Sequence, residues 1–75
     1  MDQIAREWDL LCRQHDEARN EYNEAQAPVI AGFRAVYNGN QASNPTPVQL
    51  ERAKSAWQKW EEIKARMDRF AREHA

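Results

Sequence analysis

The sequence predicts an all-α protein, an antiparallel two-helix hairpin that forms a four-helix bundle as a homodimer. Two long segments carry apolar residues at helical spacing, a cluster of turn residues separates them, and strand-like alternation is absent. We place the first helix at 2–38, the loop at 39–46 and the second helix at 47–74. A chain of 75 residues has room for one domain, which we expect to cover 1–75.

The second helix has a clear start signal. Pro47 is tolerated at the first helical position, because its missing N–H would have no partner within the helix. Thr46 precedes it as the N-cap, and Gln49 completes the Thr-x-x-Gln form of a capping box. We therefore expect the helix to begin at Pro47, with reciprocal hydrogen bonds between Thr46 and Gln49.

The apolar residues of the second helix form a wide stripe. They recur at helical spacing and cover roughly 160° of the helix surface. The members are Leu50, Ala53, Ala56, Trp57, Trp60, Ile63, Met67, Phe70 and Ala71. Because this stripe holds two of the three tryptophans, we expect the rest of the chain to pack against it.

The first helix carries a heptad pattern that runs from Ile4 to Val36 without a break. One core position holds Trp8, His15, Tyr22, Val29 and Val36, and the other holds Ile4, Leu11, Ala18, Ala25 and Gly32. Flanking residues widen the stripe, namely Cys12, Ile30, Phe33 and Tyr37. The second set becomes smaller along the helix, which allows large side chains of the second helix, Trp57, Trp60 and Phe70, to fill the space.

Pro28 stands inside the first helix, where it removes a hydrogen bond and clashes with the carbonyl group of Glu24. Either the helix breaks near 26–27 and restarts at Pro28, or one continuous helix bends there. We favour the continuous, kinked helix, because no capping residue stands at 25–27 and the heptad register passes Pro28 unchanged. Gly39 is predicted to end the helix in the left-handed conformation.

Eight residues are predicted to form the core of the hairpin, namely Tyr22, Val29, Phe33, Trp57, Trp60, Ile63, Met67 and Phe70. A second helix of ~42 Å would cover a first helix of ~54 Å back to about residue 10. Ile4 and Trp8 would then overhang without a partner in the chain. We therefore expect Ile4, Trp8 and Leu11 to mediate contacts beyond the hairpin, most simply in a two-fold dimer.

Charge is distributed unevenly over the chain. Residues 2–38 contain four Arg against seven Asp and Glu, whereas residues 47–75 contain seven Lys and Arg against five Asp and Glu. This difference favours contact between a first and a second helix, within one chain or between two. The net charge of −1 argues against a protein whose main role is to bind polyanions.

We expect a cytoplasmic protein that does not contact a membrane. The one cysteine cannot form an internal disulfide, so nothing indicates an oxidising compartment. The first residues lack the basic and then apolar pattern of a signal peptide. No apolar run approaches the ~18–20 residues that cross a bilayer.

Cys12 and His15 are the candidate metal ligands. They lie three residues apart and point the same way on a helix, as two ligands of one ion must. A chain supplies only these two, although a dimer would supply four. We favour a small buried cysteine and a polar core residue that fixes the register, and we expect no metal, no cofactor and no enzymatic activity.

The second helix also fits a nucleic-acid-binding surface, because tryptophans accompany basic residues there. Acidic residues are interleaved with the basic ones, however, as on an ordinary solvated face. No motif is specific enough to indicate a family. We therefore expect a non-enzymatic interaction or assembly module whose partner is a second copy or another protein. The alternatives are a nucleic-acid-binding protein and a metal-binding dimer.

Overall fold

The computed structural model describes residues 2–75, apart from the side chain of Gln41; residue 1 of the predicted domain lies outside this range. Helix α1 covers Gln3–Tyr37, a 3₁₀ turn covers Gln41–Ser43 and helix α2 covers Pro47–Glu73. Residues 2–75 contain no strand, and α1 and α2 pack against each other. The all-helical class and the helical hairpin are therefore confirmed.

Both helix starts are capped by side chains. Asp2 accepts a hydrogen bond from the N–H of Ile4 at 3.0 Å. At the start of α2, the N–H of Gln49 donates to Thr46 Oγ1 at 3.1 Å and the N–H of Thr46 donates to Gln49 Oε1 at 3.0 Å. These bonds confirm the predicted capping box and begin α2 at Pro47.

Gly39 ends α1 as predicted, with a φ of +97°. Its N–H donates to the carbonyl oxygen of Val36, and the N–H of Asn40 donates to that of Ala35, both at 2.9 Å. This pair of bonds forms a Schellman motif, in which glycine avoids the clash of a β-carbon in the left-handed region.

Helix α1 continues through Pro28 from Gln3 to Tyr37. The alternative of a break near 26–27 is therefore wrong, while a bend at Pro28 stays a prediction. Ala25 and Gly32 are both buried in the hairpin, on either side of the proline. The same packing holds both halves of the helix in place, which offsets the hydrogen bond that Pro28 cannot make.

Contacts between aromatic rings show which parts of the two helices lie side by side. Near the start of α1, the rings of Trp8 and Phe70 stack with centroids 5.9 Å apart. In the middle of α1, Tyr22 lies against Trp60 with centroids 5.6 Å apart. The hairpin measures 57 × 18 × 17 Å, and its radius of gyration of 17.0 Å exceeds the roughly 11 Å of a compact chain of this length.

The contact between Trp8 and Phe70 corrects the predicted overhang. A β-carbon on Gly32 would lie 2.7 Å from the carbonyl oxygen of Ser43 and 3.0 Å from ring carbons of Pro45. The loop therefore folds back along α1, and the space at Gly32 is filled by the loop rather than by a large side chain of α2. Because the loop folds back, α2 begins closer to the middle of α1 than predicted, and its last turns therefore reach Trp8.

Four positions form the buried line between the helices, namely Ala18, Ala25, Gly32 and Ile63. Of the eight predicted core residues, only Ile63 is buried; Tyr22, Val29, Trp60, Met67 and Phe70 are half-buried. Phe33 and Trp57 are 55% and 47% exposed, which corrects their assignment to the core. Two helices meet along one line, so side chains beside that line keep one flank in solvent.

Candidate interaction surface

The line between α1 and α2 divides the hairpin into two different faces. On one side, two clefts are lined by charged residues, which we call the charged face: Glu17, Glu21, Glu24, Arg52, Lys59, Glu62 and Arg66. Lys59 Nζ donates to both carboxylate oxygens of Glu21 at 3.1 and 3.2 Å. This ion pair joins the two helices across the charged face.

The opposite side is apolar, and we call it the aromatic face. Its members are Ile4, Trp8, Tyr22, Ile30, Phe33, Tyr37, Leu50, Trp57, Trp60 and Phe70. Helical spacing places them on one side, since Trp8 and Tyr22 are two heptads apart and Leu50 and Trp57 one. The two helices share this side, because Tyr22 and Trp57 line one cleft.

Trp60 lies at the centre of the aromatic face. The ring of His15 meets it edge-on with centroids 5.9 Å apart, and Lys64 Nζ lies 4.3 Å from its centroid. Within residues 2–75, the buried indole N–H of Trp60 has no hydrogen-bond partner. Contacts to the ring, including that of Tyr22, therefore hold Trp60 in place.

The aromatic face is only partly covered within the chain, and it is most exposed near the loop. Phe33 and Trp57 are about half exposed, and Tyr37 is 91% exposed. From Ile4 to Phe33 the face extends for roughly 44 Å. Monomeric proteins rarely expose an apolar patch larger than a few hundred Å², so this face is the candidate interaction surface.

The predicted interaction residues occupy one end of this surface. Ile4 and Trp8 line a cleft together with Phe70 and His74. Leu11 is half-buried and offers less area to a partner. The prediction therefore named one end of the surface, and whether these three residues bind a partner stays a prediction.

Sequence reasoning missed the other end of the surface. Ile30, Tyr37 and Leu50 are exposed there. Ile30 and Tyr37 were visible in the sequence as residues that widen the stripe of α1, which is the signal that identifies them. Two further exposed apolar residues, Leu10 and Val48, lie outside the aromatic face.

Cys12 and His15 lie close to the aromatic face. Cys12 is a half-buried free thiol, and His15 Nδ1 lies 3.3 Å from Asp16 Oδ1. In the part of the chain that the structure describes, no cluster of three or more His, Cys, Asp or Glu could hold a metal ion. The metal-binding dimer stays an alternative prediction that would need ligands from both chains.

Several basic side chains of α2 have carboxylate partners. Lys64 pairs with Glu61, and Arg72 Nη2 lies 2.8 Å from Asp68 Oδ2. Lys59 pairs with Glu21 across the charged face. A nucleic acid would compete with these carboxylates for the same cations, so the nucleic-acid alternative stays a prediction that no contact favours.

Comparison with protein-family models, curated proteins and solved structures yields no match to this chain. Neither helix within residues 2–75 contains a segment long and apolar enough to cross a membrane. Reasoning about function therefore starts from the two faces of the hairpin and from the contacts that hold them.

Proposed function

We propose that this chain is a non-enzymatic assembly module that associates with a second copy of itself. The two helices run antiparallel, and two hairpins meet through their aromatic faces to form a four-helix bundle. The charged faces then point outward to solvent. The module uses no cofactor, and a cytoplasmic location stays part of this prediction.

The observation that carries the proposal is how little the hairpin buries. Among the hydrophobic residues described, only Ala18, Ala25 and Ile63 are buried, and Ile63 is the one large side chain among them. A core this small contributes few kcal/mol against the conformational entropy of ordering the chain. The aromatic face supplies the missing apolar area once a partner covers it.

The surface area of the chain supports a partner of similar size. The chain exposes 5808 Å², whereas a compact monomer of 8.8 kDa exposes roughly 4,800 Å². The excess is roughly 1,000 Å², and each partner in a typical stable interface buries about 800 Å². A second hairpin of the same length and width matches both this area and the length of the face.

Molar mass in solution tests the proposal. Light scattering after size exclusion, from ~5 to ~500 μM chain, is expected to give the mass of a dimer at the upper concentrations. A monomer mass over the whole range would overturn self-association.

A pair of matched variants tests the face. Trp57→Ala removes an exposed side chain of the aromatic face and is expected to raise the dimer dissociation constant about tenfold or more. Leu10→Ala is the control, because Leu10 is 53% exposed and stands one heptad before Glu17, on the side of the charged face. Equal weakening by both variants would show that the aromatic face is not the interface.

A further inference from the structure

We infer that the two hairpins dock side by side in the same orientation, with both loops at one end and the two-fold axis parallel to the helices. In this arrangement α1 of each chain packs on α2 of its partner. The inference rests on the proposed self-association and adds to it the orientation of the second copy. Its basis is the pattern of charges along the two edges of the aromatic face.

At the height of Trp60, each edge of the aromatic face carries a neighbouring pair of one acid and one base. On α1, Arg19 Nη2 lies 3.8 Å from Asp16 Oδ1, and Asp16 also contacts His15 at the face. On α2, Lys64 pairs with Glu61 and lies over the ring of Trp60. The two edges are therefore alike in composition. Both border the face that the second hairpin would cover.

The charges on the two edges lie at matching heights. Glu21 of α1 contacts Lys59 of α2, which fixes the relative height of the helices. Asp16 stands five residues before Glu21, and Lys64 stands five residues after Lys59. Because the helices run in opposite directions, Asp16 and Lys64 lie at the same height.

The second pair of edge charges, Arg19 and Glu61, also lies at matching heights. Arg19 stands two residues before Glu21, and Glu61 stands two residues after Lys59. A negative charge on one edge therefore lies level with a positive charge on the other, twice in succession.

If the two-fold axis is parallel to the helices, residues at matching heights come into contact between the two chains. This axis lays the α1 edge of each hairpin on the α2 edge of its partner without changing heights, so that Asp16 meets the partner's Lys64 and Arg19 meets the partner's Glu61. Apolar residues match as well: Ile30 lies nine residues after Glu21, at the height of Leu50, nine residues before Lys59. Exposed ion pairs add little affinity, but they select the orientation and register.

The opposite orientation satisfies the same charges only with a loss of apolar contact. A two-fold axis perpendicular to the helices lays α1 on the partner's α1. Asp16 then contacts the partner's Arg19 only if the axis passes midway between positions 16 and 19. That position carries Phe33 and Tyr37 past the end of the partner's first helix and leaves them exposed. It also brings two negatively charged helices together.

Distances between spin labels at the loop test the orientation. Asn40→Cys is introduced into the full chain together with Cys12→Ala, which removes the native thiol. Labels on the two loops are expected within about 30 Å, because neighbouring helices in a bundle lie about 10 Å apart. The opposite orientation separates them by nearly the 57 Å length of the hairpin. Glu73→Cys repeats the measurement at the other end, with the same expectation.

The label experiment separates the two proposals. Short distances at both ends support the parallel orientation. A distance near the full length of the hairpin between the two loop labels overturns the inference but leaves self-association intact. A monomer mass with no dipolar coupling overturns both.

A charge swap gives an independent test. The double variant Glu61→Lys with Lys64→Glu reverses the α2 edge and is expected to raise the dissociation constant about tenfold. Adding Asp16→Arg with Arg19→Asp is expected to restore it. In the opposite orientation α2 meets the partner's α2, the swap preserves complementarity, and an unchanged dissociation constant would overturn the inference.

Discussion

A β-carbon added to Gly32 would lie 2.7 Å from the carbonyl oxygen of Ser43, closer than real β-carbons come to atoms of residues distant in the chain. The loop between the helices therefore rests directly on α1 at a position where only glycine leaves room. This contact sets where α2 begins along α1, and it thereby sets which ring of α2 meets Trp8.

Gly32→Ala is expected to lower the free energy of unfolding by about 1 kcal/mol. Overpacking against backbone costs roughly 1–3 kcal/mol, and the better helix propensity of alanine offsets about 1 kcal/mol of it. Urea denaturation at fixed protein concentration measures the change. Ala31→Gly, at the exposed neighbouring position, reports the propensity effect alone. Stabilisation by Gly32→Ala as large as the loss in that control would contradict the contact.

Gly39→Ala is expected to lower the free energy of unfolding by about 1–2 kcal/mol for a different reason. No atom lies within 4 Å of a β-carbon at this position, but its φ of +97° is unfavourable for residues other than glycine. Gly39→Asn should lose less, because asparagine tolerates the left-handed region better. Thermal denaturation of the three proteins at one concentration compares them, and equal losses for both variants would argue against backbone strain.

Thr46→Ala is expected to destabilise α2 by about 1 kcal/mol, because the N–H of Gln49 loses its acceptor. Thr46→Ser keeps the hydroxyl and serves as the control. Far-UV circular dichroism during urea denaturation measures both variants. A Thr46→Ser variant as unstable as Thr46→Ala would show that the methyl group, and not the cap, is what matters.

Trp8→Ala is expected to weaken two properties together. The variant loses the stack with Phe70, so the hairpin should be less stable by about 1–2 kcal/mol. It also removes part of the aromatic face, so the proposed dimer should dissociate more readily. Trp8→Phe, which keeps a ring at this position, should retain most of both. Urea denaturation followed by circular dichroism measures the stability, and light scattering of the same samples measures association. An unchanged free energy of unfolding in the dilute protein would exclude a role of Trp8 in the hairpin.

Glu21→Gln is expected to change the free energy of unfolding by less than about 1 kcal/mol. The side chains of Glu21 and Lys59 are 52% and 57% exposed, so solvent screens their attraction. Urea denaturation at ~50 mM and at ~1 M salt should give nearly the same difference from the parent protein. A large loss that disappears at high salt would mean that this ion pair, and not the buried line between the helices, holds them together.

Local chemistry explains which parts of the fold could be predicted from sequence. The capping box at Thr46 and the left-handed Gly39 follow from residues within a few positions of each other, so they can be predicted without knowledge of distant contacts. The continuity of α1 through Pro28 followed from the unbroken heptad register. These features require knowledge only of a helix and its ends.

Contacts between distant residues explain the errors. The predicted overhang of Ile4 and Trp8 assumed that the loop extends beyond the end of α1, whereas it folds back onto Gly32. The predicted core included Phe33 and Trp57, because an apolar stripe shows that a residue must be covered but not by which chain. The candidate interaction surface could therefore be recognised in the sequence only as excess apolar area.

The cleft that Asp2 shares with His74 brings the two ends of the described chain together. A short peptide could join them, and the chain could then be opened at Ala42, after the capping bond of Asn40 and before the contact of Ser43 with Gly32. Such a circular permutant reverses the order of the helices in the polypeptide and keeps every contact between them. We therefore expect the order of the two helices in the chain to be exchangeable, while the contacts between them are not.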